Sequence, residues 1–168
     1  MPKIIENLKT RLLDEAKRQI SERGYEAMTV RSVANALGVA VGTVYNYFPS
    51  KDMLVASFML EDWLECIKRL DSESREDARG YLFAVYTALM EFSQKYRGIF
   101  SDKAAIKVYF SESRVRHEIL RCQIAELILP ICHGDGFESE FVAESLLTWG
   151  AAGKSFDEIY SIIEKIIK

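Results

Sequence analysis

The sequence predicts an all-α protein, with a small three-helix head followed by a larger helical body. Three observations lead there. Prolines stand only at Pro2, Pro49 and Pro130, so long stretches lack the residue that breaks helices. Apolar residues recur at spacings of three and four along much of the chain, the period of one buried helical face. Good N-cap residues (Thr29, Ser50, Ser155) and stop glycines (Gly24, Gly38) fall at the ends of the periodic runs, where free backbone groups need partners. A hydrophobic content of 49% in 168 residues supports one well-cored domain, or a small module joined to a larger one.

The first helix is expected over about Lys3–Arg23. Ile5, Leu8, Leu12, Ala16 and Ile20 form its apolar stripe, and Gly24 ends it. Thr29 caps a second helix, Val30–Leu37, whose inner face is Val33, Ala34 and Leu37. Gly38 closes that helix, and after a three-residue turn a third runs Val41–Tyr47. Pro49 stops the third, and Ser50 caps a fourth from Lys51 to Leu70.

The polar run DSESRED reads as a surface turn, with Ser74 and Asp77 as a capping pair. Residues 78–97 are apolar nearly all round, the pattern of a central buried helix. Shorter helices follow at about 101–111 and 113–132, and HGDG at 133–136 breaks the pattern. Two final helices are expected at 138–152 and 156–167. The last has a Ser155–Glu158 capping box and a stripe of Phe156, Ile159, Tyr160, Ile163, Ile166 and Ile167. That stripe needs a covering surface, from its own domain or from a second subunit. The expected division is a head at residues 1–50 and a body at 51–168.

Charge and cysteines narrow the function classes. Residues 1–52 carry a net +2 and the remainder −5, within a total of −3. A mildly basic head on an acidic body is compatible with nucleic-acid binding by the head. Cys66, Cys122 and Cys132 are odd in number and widely spaced, as expected of reduced thiols in a cytoplasm. The charged N-terminus has no apolar secretion core. No window approaches the roughly 18 apolar residues of a membrane span.

Catalytic patterns are not completed. His117 and Glu118 begin a zinc-protease pair, but the position of the second histidine is Arg121. Cys132, His133 and Asp135 lack a second cluster. There is no glycine-rich phosphate loop and no nucleophile elbow. Neither enzyme activity nor a metal or cofactor is expected.

Residues 29–48, TVRSVANALGVAVGTVYNYF, have the physics of a helix-turn-helix. Two short helices cross at a wide angle, so the turn needs a left-handed residue, which Gly38 supplies. Ala34 and Ala40 are small where the helices meet. Val39, Val44 and Phe48 point inward, leaving Thr43, Tyr45, Asn46 and Tyr47 to include the exposed groups.

The longer stretch GYEAMTVRSVANALGVAVGTVYNYFPSKDML resembles the DNA-binding signature of the tetracycline-repressor (TetR) family. It carries the Gly-Tyr before the motif, the opening Thr, the ALGV turn, the GTVYNYF recognition segment and the following Ser-Lys-Asp. The resemblance covers about residues 8–54 directly, and the rest only as a helical body of suitable size. It implies a dimeric repressor that leaves a palindromic double-stranded operator when a small-molecule inducer binds. Thr43 and Asn46 would face base edges or phosphates, and Tyr45 and Tyr47 would set hydroxyls on phosphates. Lys51, with the start of the fourth helix, would hold another phosphate, and Arg31 would reach a phosphate or a base. Thr29, Ala40 and Val41 complete the implied DNA face. Ala40 and Val41 stand where the family often has a hydroxyl and then a basic residue, so readout there leans on thymine methyls. Val41 also reads as a core residue.

The same resemblance implies an inducer cavity, for which Trp63, Tyr86, Met90, Tyr109, Phe110 and Trp149 are candidates, with Tyr86 or Gln94 to orient the ligand. Ordinary core packing is the competing reading of each. It implies a homodimer through the last two helices, with Phe141, Leu146, Trp149, Gly150, Phe156, Ile159 and Ile163 as candidates. Gly150-Ala-Ala-Gly153 suits either close helix approach or a fraying end. The alternative function is a ligand-sensing adaptor whose helix-turn-helix binds a protein.

Overall fold

The structure, a computed structural model, describes residues 7–100 and 113–167. The helix expected at 101–111, the cavity candidates Tyr109 and Phe110, and Lys3 and Ile5 of the first helix lie outside them. The described residues form helices and no strand: α1 (Leu8–Arg23), α2 (Val30–Leu37), α3 (Val41–Tyr47), α4 (Lys51–Asp71), α5 (Ala78–Lys95), α6 (Arg97–Phe100), α7 (Ser113–Ile128), α8 (Gly136–Ala151) and α9 (Phe156–Ile163). They divide into two compact units, one of residues 7–63 with 98–100 and the other of residues 64–97 with 113–167. The first unit takes in the N-terminal half of α4, past the boundary expected at residue 50.

In the first unit α1 packs on α2, and α2 on α3. The core holds Leu12, Leu13, Ala16, Val33, Ala34, Val44, Phe48, Leu54, Val55 and Phe58, all buried. The face of α1 is rotated slightly from the expected stripe: Leu13 and Gln19 are buried, and Ile20 is half-buried. Gln19 tolerates burial because its amide is used. It donates to Glu15 Oε1 at 2.7 Å and accepts from Ser32 Oγ at 2.5 Å, which satisfies its polar atoms and ties α1 to the start of α2.

Thr29 and Ser32 form a reciprocal cap. Ser32 N donates to Thr29 Oγ1, and Thr29 N donates to Ser32 Oγ, both at 3.0 Å. Gly38 then closes α2 at φ 66°, and Val39 N returns to Ala34 O at 3.0 Å. Thr29→Ala leaves the Ser32 N–H without its cap. It is expected to lower stability by about 1 kcal/mol, read as a lower urea midpoint, with Thr29→Ser close to wild type.

In the second unit α8 packs against α5, α7 and α9, and α9 also meets α5. The central helix is therefore α8, with Val142, Ala143, Leu146 and Gly150 buried. The sequence pattern pointed instead to 78–97. There α5 buries Tyr81, Leu82, Val85, Ala88 and Leu89 but leaves Phe83 51% exposed, edge-on to Phe156 at 5.1 Å. Aromatic residues on the outer side of α5 made a one-sided helix look apolar all round.

The turn before α5 is not held by a Ser74–Asp77 pair. Asp77 makes no side-chain cap, and Ser74 Oγ accepts only from Glu76 N at 3.4 Å. Arg75 organises the turn, donating to Leu127 O at 3.1 Å and to Asp71 Oδ1 at 2.8 Å. Its guanidinium also lies 4.9 Å from the Tyr81 ring centroid.

The break after α7 comes at Ile128, earlier than residue 132, through left-handed His133 (φ 52°) and Gly134 (φ 83°). Asp135 accepts from Phe137 N and Glu138 N at 2.9 and 3.0 Å, so α8 starts at Gly136 and not at 138. The Ser155–Glu158 box opens α9. The Lys154 ammonium, with the N–H and hydroxyl of Ser155, holds the Glu158 carboxyl down to about 2. This helix ends at Ile163, short of 167. The two glycines of the GAAG segment differ in role. Gly150 makes a close approach, since a Cβ there would sit 2.7 Å from Met90 Cε, whereas Gly153 turns the chain at φ 85°.

Candidate nucleic-acid interface

The third helix is fastened by one side and bare on the other. Val44 and Phe48 are 0% and 2% exposed, and at 100° per residue they define its inner face. The opposite face carries Gly42 and Asn46, both exposed, with half-buried Thr43 beside them. Tyr45 and Tyr47 lie on the two flanks, 49% and 46% exposed. Arg31, in the first turn of α2, is also exposed. Among the described residues the side chains of Arg31, Thr43, Tyr45 and Asn46 have no hydrogen-bond or ion-pair partner. Other cations of this unit are engaged: Lys17 with Asp62 at 2.5 Å, and Arg18 with Glu15 and Glu22, each at 2.7 Å.

Thr29 is exposed, but its hydroxyl serves the α2 cap. Ala40 is exposed and Val41 half-buried, so Val41 contributes to both the core and the surface.

Lys51 has an intrachain partner that the sequence did not indicate. Its ammonium donates to Tyr25 O and lies 4.0 Å from the Tyr25 ring centroid. The Tyr25 hydroxyl donates in turn to Asp52 Oδ1. This clamp pins the first turn of α4 to the loop before α2, and the ammonium is engaged within the chain. The clamp was not anticipated from the sequence. Its trace there is the pairing of a Gly-Tyr before the motif with a Lys-Asp after it, and nothing local shows that they meet.

The cavity candidates fall in different settings. Trp63 is 4% exposed within the first unit. Tyr86 and Met90 are half-buried against Gly150, with the Tyr86 hydroxyl donating to Lys154 O at 2.8 Å. Gln94 is exposed. Tyr86 and Trp149 line separate grooves, the first with Arg79, Phe83 and Phe156, the second with Phe141, Ile159 and Ile162.

The dimer candidates also divide. Leu146, Gly150, Phe156, Ile159 and Ile163 are buried in their own unit, so the chain's own core already uses them. Phe141 and Trp149 are 43% and 54% exposed, and they are joined by Phe137 and Ile162, which the sequence reading missed. An exposed apolar residue next to a buried one at helical spacing gives no local sign of which face it takes. Of the weak metal group, Cys132 is buried, and burial together with Glu138 and Asp135 pushes its thiol up to about 11. Asp135 serves as the α8 cap.

Residues 12–58 match the family model for bacterial regulatory proteins of the tetR family. Residues 12–58 thus form a tetR-type DNA-binding segment. The matched span begins at Leu12 and ends at Phe58, two buried residues of the first unit's core. Among curated relatives, the HTH-type transcriptional repressor KstR of Rhodococcus jostii (strain RHA1) is 42% identical over 65 residues, 39% of this chain and 29% of that protein. The HTH-type transcriptional repressor KstR2 of the same organism is 32% identical over 112 residues, 65% of this chain and 50% of that protein. The chain thus spans half or less of these curated relatives. A crystal structure of a TetR-family transcriptional regulator from Streptomyces coelicolor matches with a TM-score of 0.61 at 18% identity, covering 95% of this chain and 94% of that one. The tetR fold therefore extends through both units. No helix of the described residues is long and apolar enough to cross a membrane.

Proposed function

We propose that this chain is a tetR-type transcriptional repressor that holds a palindromic DNA operator as a homodimer and leaves it when a small molecule binds the body. One observation carries the reading: α3 is anchored by Val44 and Phe48 and turns Tyr45, Asn46 and Tyr47 outward with Thr43 half-exposed, while Arg31 on α2 is exposed and unpaired. A helix fixed on one side with bare polar groups on the other is what the major groove admits. The flanking tyrosines and Arg31 suit phosphates, and Asn46 suits a base edge, above all adenine.

Two copies are required because one short helix reads too few base pairs. The exposed residues Phe141, Trp149 and Ile162 on α8 and α9 are the surface we assign to the second copy. An unbroken α4, with its first half in one unit and its last turns in the other, supplies a continuous element through which a ligand in the body biases the head.

Selection of bound duplexes from a random library tests the reading. A palindromic sequence is expected, with log affinity falling linearly as log salt rises. Tyr45→Phe/Tyr47→Phe is expected to weaken every duplex alike, by about 1.5 kcal/mol or more, the worth of a charge-assisted hydrogen bond. Asn46→Ala should change the preferred sequence. Absence of any enriched duplex, or wild-type affinity in the double tyrosine variant, defeats the assignment.

A further inference from the structure

The glycines of this chain sort by whether the chain itself needs them. Gly24, Gly38, Gly134 and Gly153 have positive φ, where a side chain is strained. Gly150 and Gly80 have neighbours within 3 Å of where a Cβ would lie. Gly42 meets neither condition. It is helical, its φ is ordinary, and a Cβ built there touches nothing within 4 Å. Glycine is among the poorest helix formers, and α3 is a short helix of seven residues that would gain from alanine. Two other glycines share this openness, but Gly136 is the first residue of α8 and Gly98 lies in a four-residue helix. Gly42 differs from both in its place, on the outermost line of α3 with exposed Asn46 one turn on and the exposed tyrosines on either side.

We infer that Gly42 is a positioning and specificity residue: its missing side chain lets the α3 backbone approach base edges closely enough for Thr43 and Asn46 to read them. This rests on the DNA-binding reading above. Any side chain at residue 42 lifts the helix away from the bases. The longer tyrosine and arginine side chains at the rim still reach phosphates, so sequence discrimination falls before general affinity for DNA does. Stability moves the other way, because a Cβ at this position improves the helix and strikes nothing.

The test is a series, Gly42→Ala, Gly42→Ser and Gly42→Leu, in the full chain. Thermal midpoint and circular dichroism are measured beside affinity for the selected duplex and for a scrambled one. The expected result is a midpoint equal to or above wild type in Gly42→Ala, with at least a tenfold fall in the selected-to-scrambled affinity ratio. The fall should deepen with side-chain size. A Gly42→Ala protein that keeps the wild-type ratio overturns the inference. So does a lowered midpoint, which would give the glycine a role inside the chain. Failure of the wild-type protein to prefer any duplex overturns instead the reading on which the inference rests.

Discussion

A chain carrying Trp149→Glu and Ile162→Glu is expected to be monomeric at micromolar concentration and to bind its operator at least about a hundredfold more weakly, with helical content unchanged. Both side chains are more than half exposed, at 54% and 53%. They lie on the flanks of α8 and α9, in the groove that Ile159 and Ile163 also line, and their own exposure lets the substitutions spare most of the chain's core. On α8 the exposed apolar residues Phe137, Phe141 and Trp149 recur every four or eight positions. Ser145 falls on the same line and lines the same groove as Phe141 and Trp149. Exposed apolar residues gathered along one groove mark a contact surface more than scattered residues do. Across a two-fold axis each substitution appears twice, placing four carboxylates in an apolar contact, where each unpaired charge costs several kcal/mol. Without the second copy only one α3 engages a half-site. Sedimentation velocity and a mobility-shift titration check the two effects together. A dimeric variant would place the interface elsewhere, and a monomeric variant with full affinity would remove the palindrome from the mechanism.

Phe58→Ala is expected to have the largest effect on folding, about 3–5 kcal/mol. The Phe58 ring is 1% exposed and belongs to the core of the first unit, with the Lys17 ammonium 5.8 Å from its centroid. A small domain holds only about 5–15 kcal/mol of net stability, so one such cavity takes up a large share of it. The loss should fall first on α1, α2 and α3, because the residue lies in their unit and not in the other. Hydrogen exchange should show faster opening of these helices while α5, α8 and α9 stay protected. Operator affinity should fall with the fraction folded, and cooling should restore part of it. Even loss of protection across both units would show that they unfold together.

The head was legible in detail because its signals are local. Thr29, Gly38 and Pro49 each act on backbone groups within four residues, and both α2 and α3 begin and end where those residues place them. The same holds for Ser155 and Glu158 at α9. Where local reading failed, a partner distant in sequence had intervened. Arg75 took over the turn before α5 by bonding Leu127 O. Asp135, read as part of a break, became the cap that starts α8 two residues early.

The interface shows the same division. Tyr45, Asn46 and Tyr47 could be assigned outward from the period of one helix, since Val44 and Phe48 fix its inner side. Lys51 could not be assigned this way, because its partner Tyr25 is 26 residues away. In the last two helices the apolar pattern mixed two faces: Phe141 and Trp149 are exposed, whereas Leu146, Gly150, Phe156, Ile159 and Ile163 are buried. An α8 that is apolar on two sides is consistent with one side in the core and the other outside, and hydrophobicity alone does not say which is which. Met90 and Tyr86 on α5 decide it by closing over Gly150.

By itself the sequence determined the helix-turn-helix, its caps and its outward side chains, for helical period and capping are properties of neighbouring residues. The tertiary structure alone decided that the Lys51 ammonium clamps Tyr25, that Leu146 and Gly150 serve the chain's own core, and that Trp149 and Ile162 remain exposed. Those outcomes depend on which distant segments meet, and burial is a property of the packed chain and not of any stretch of it.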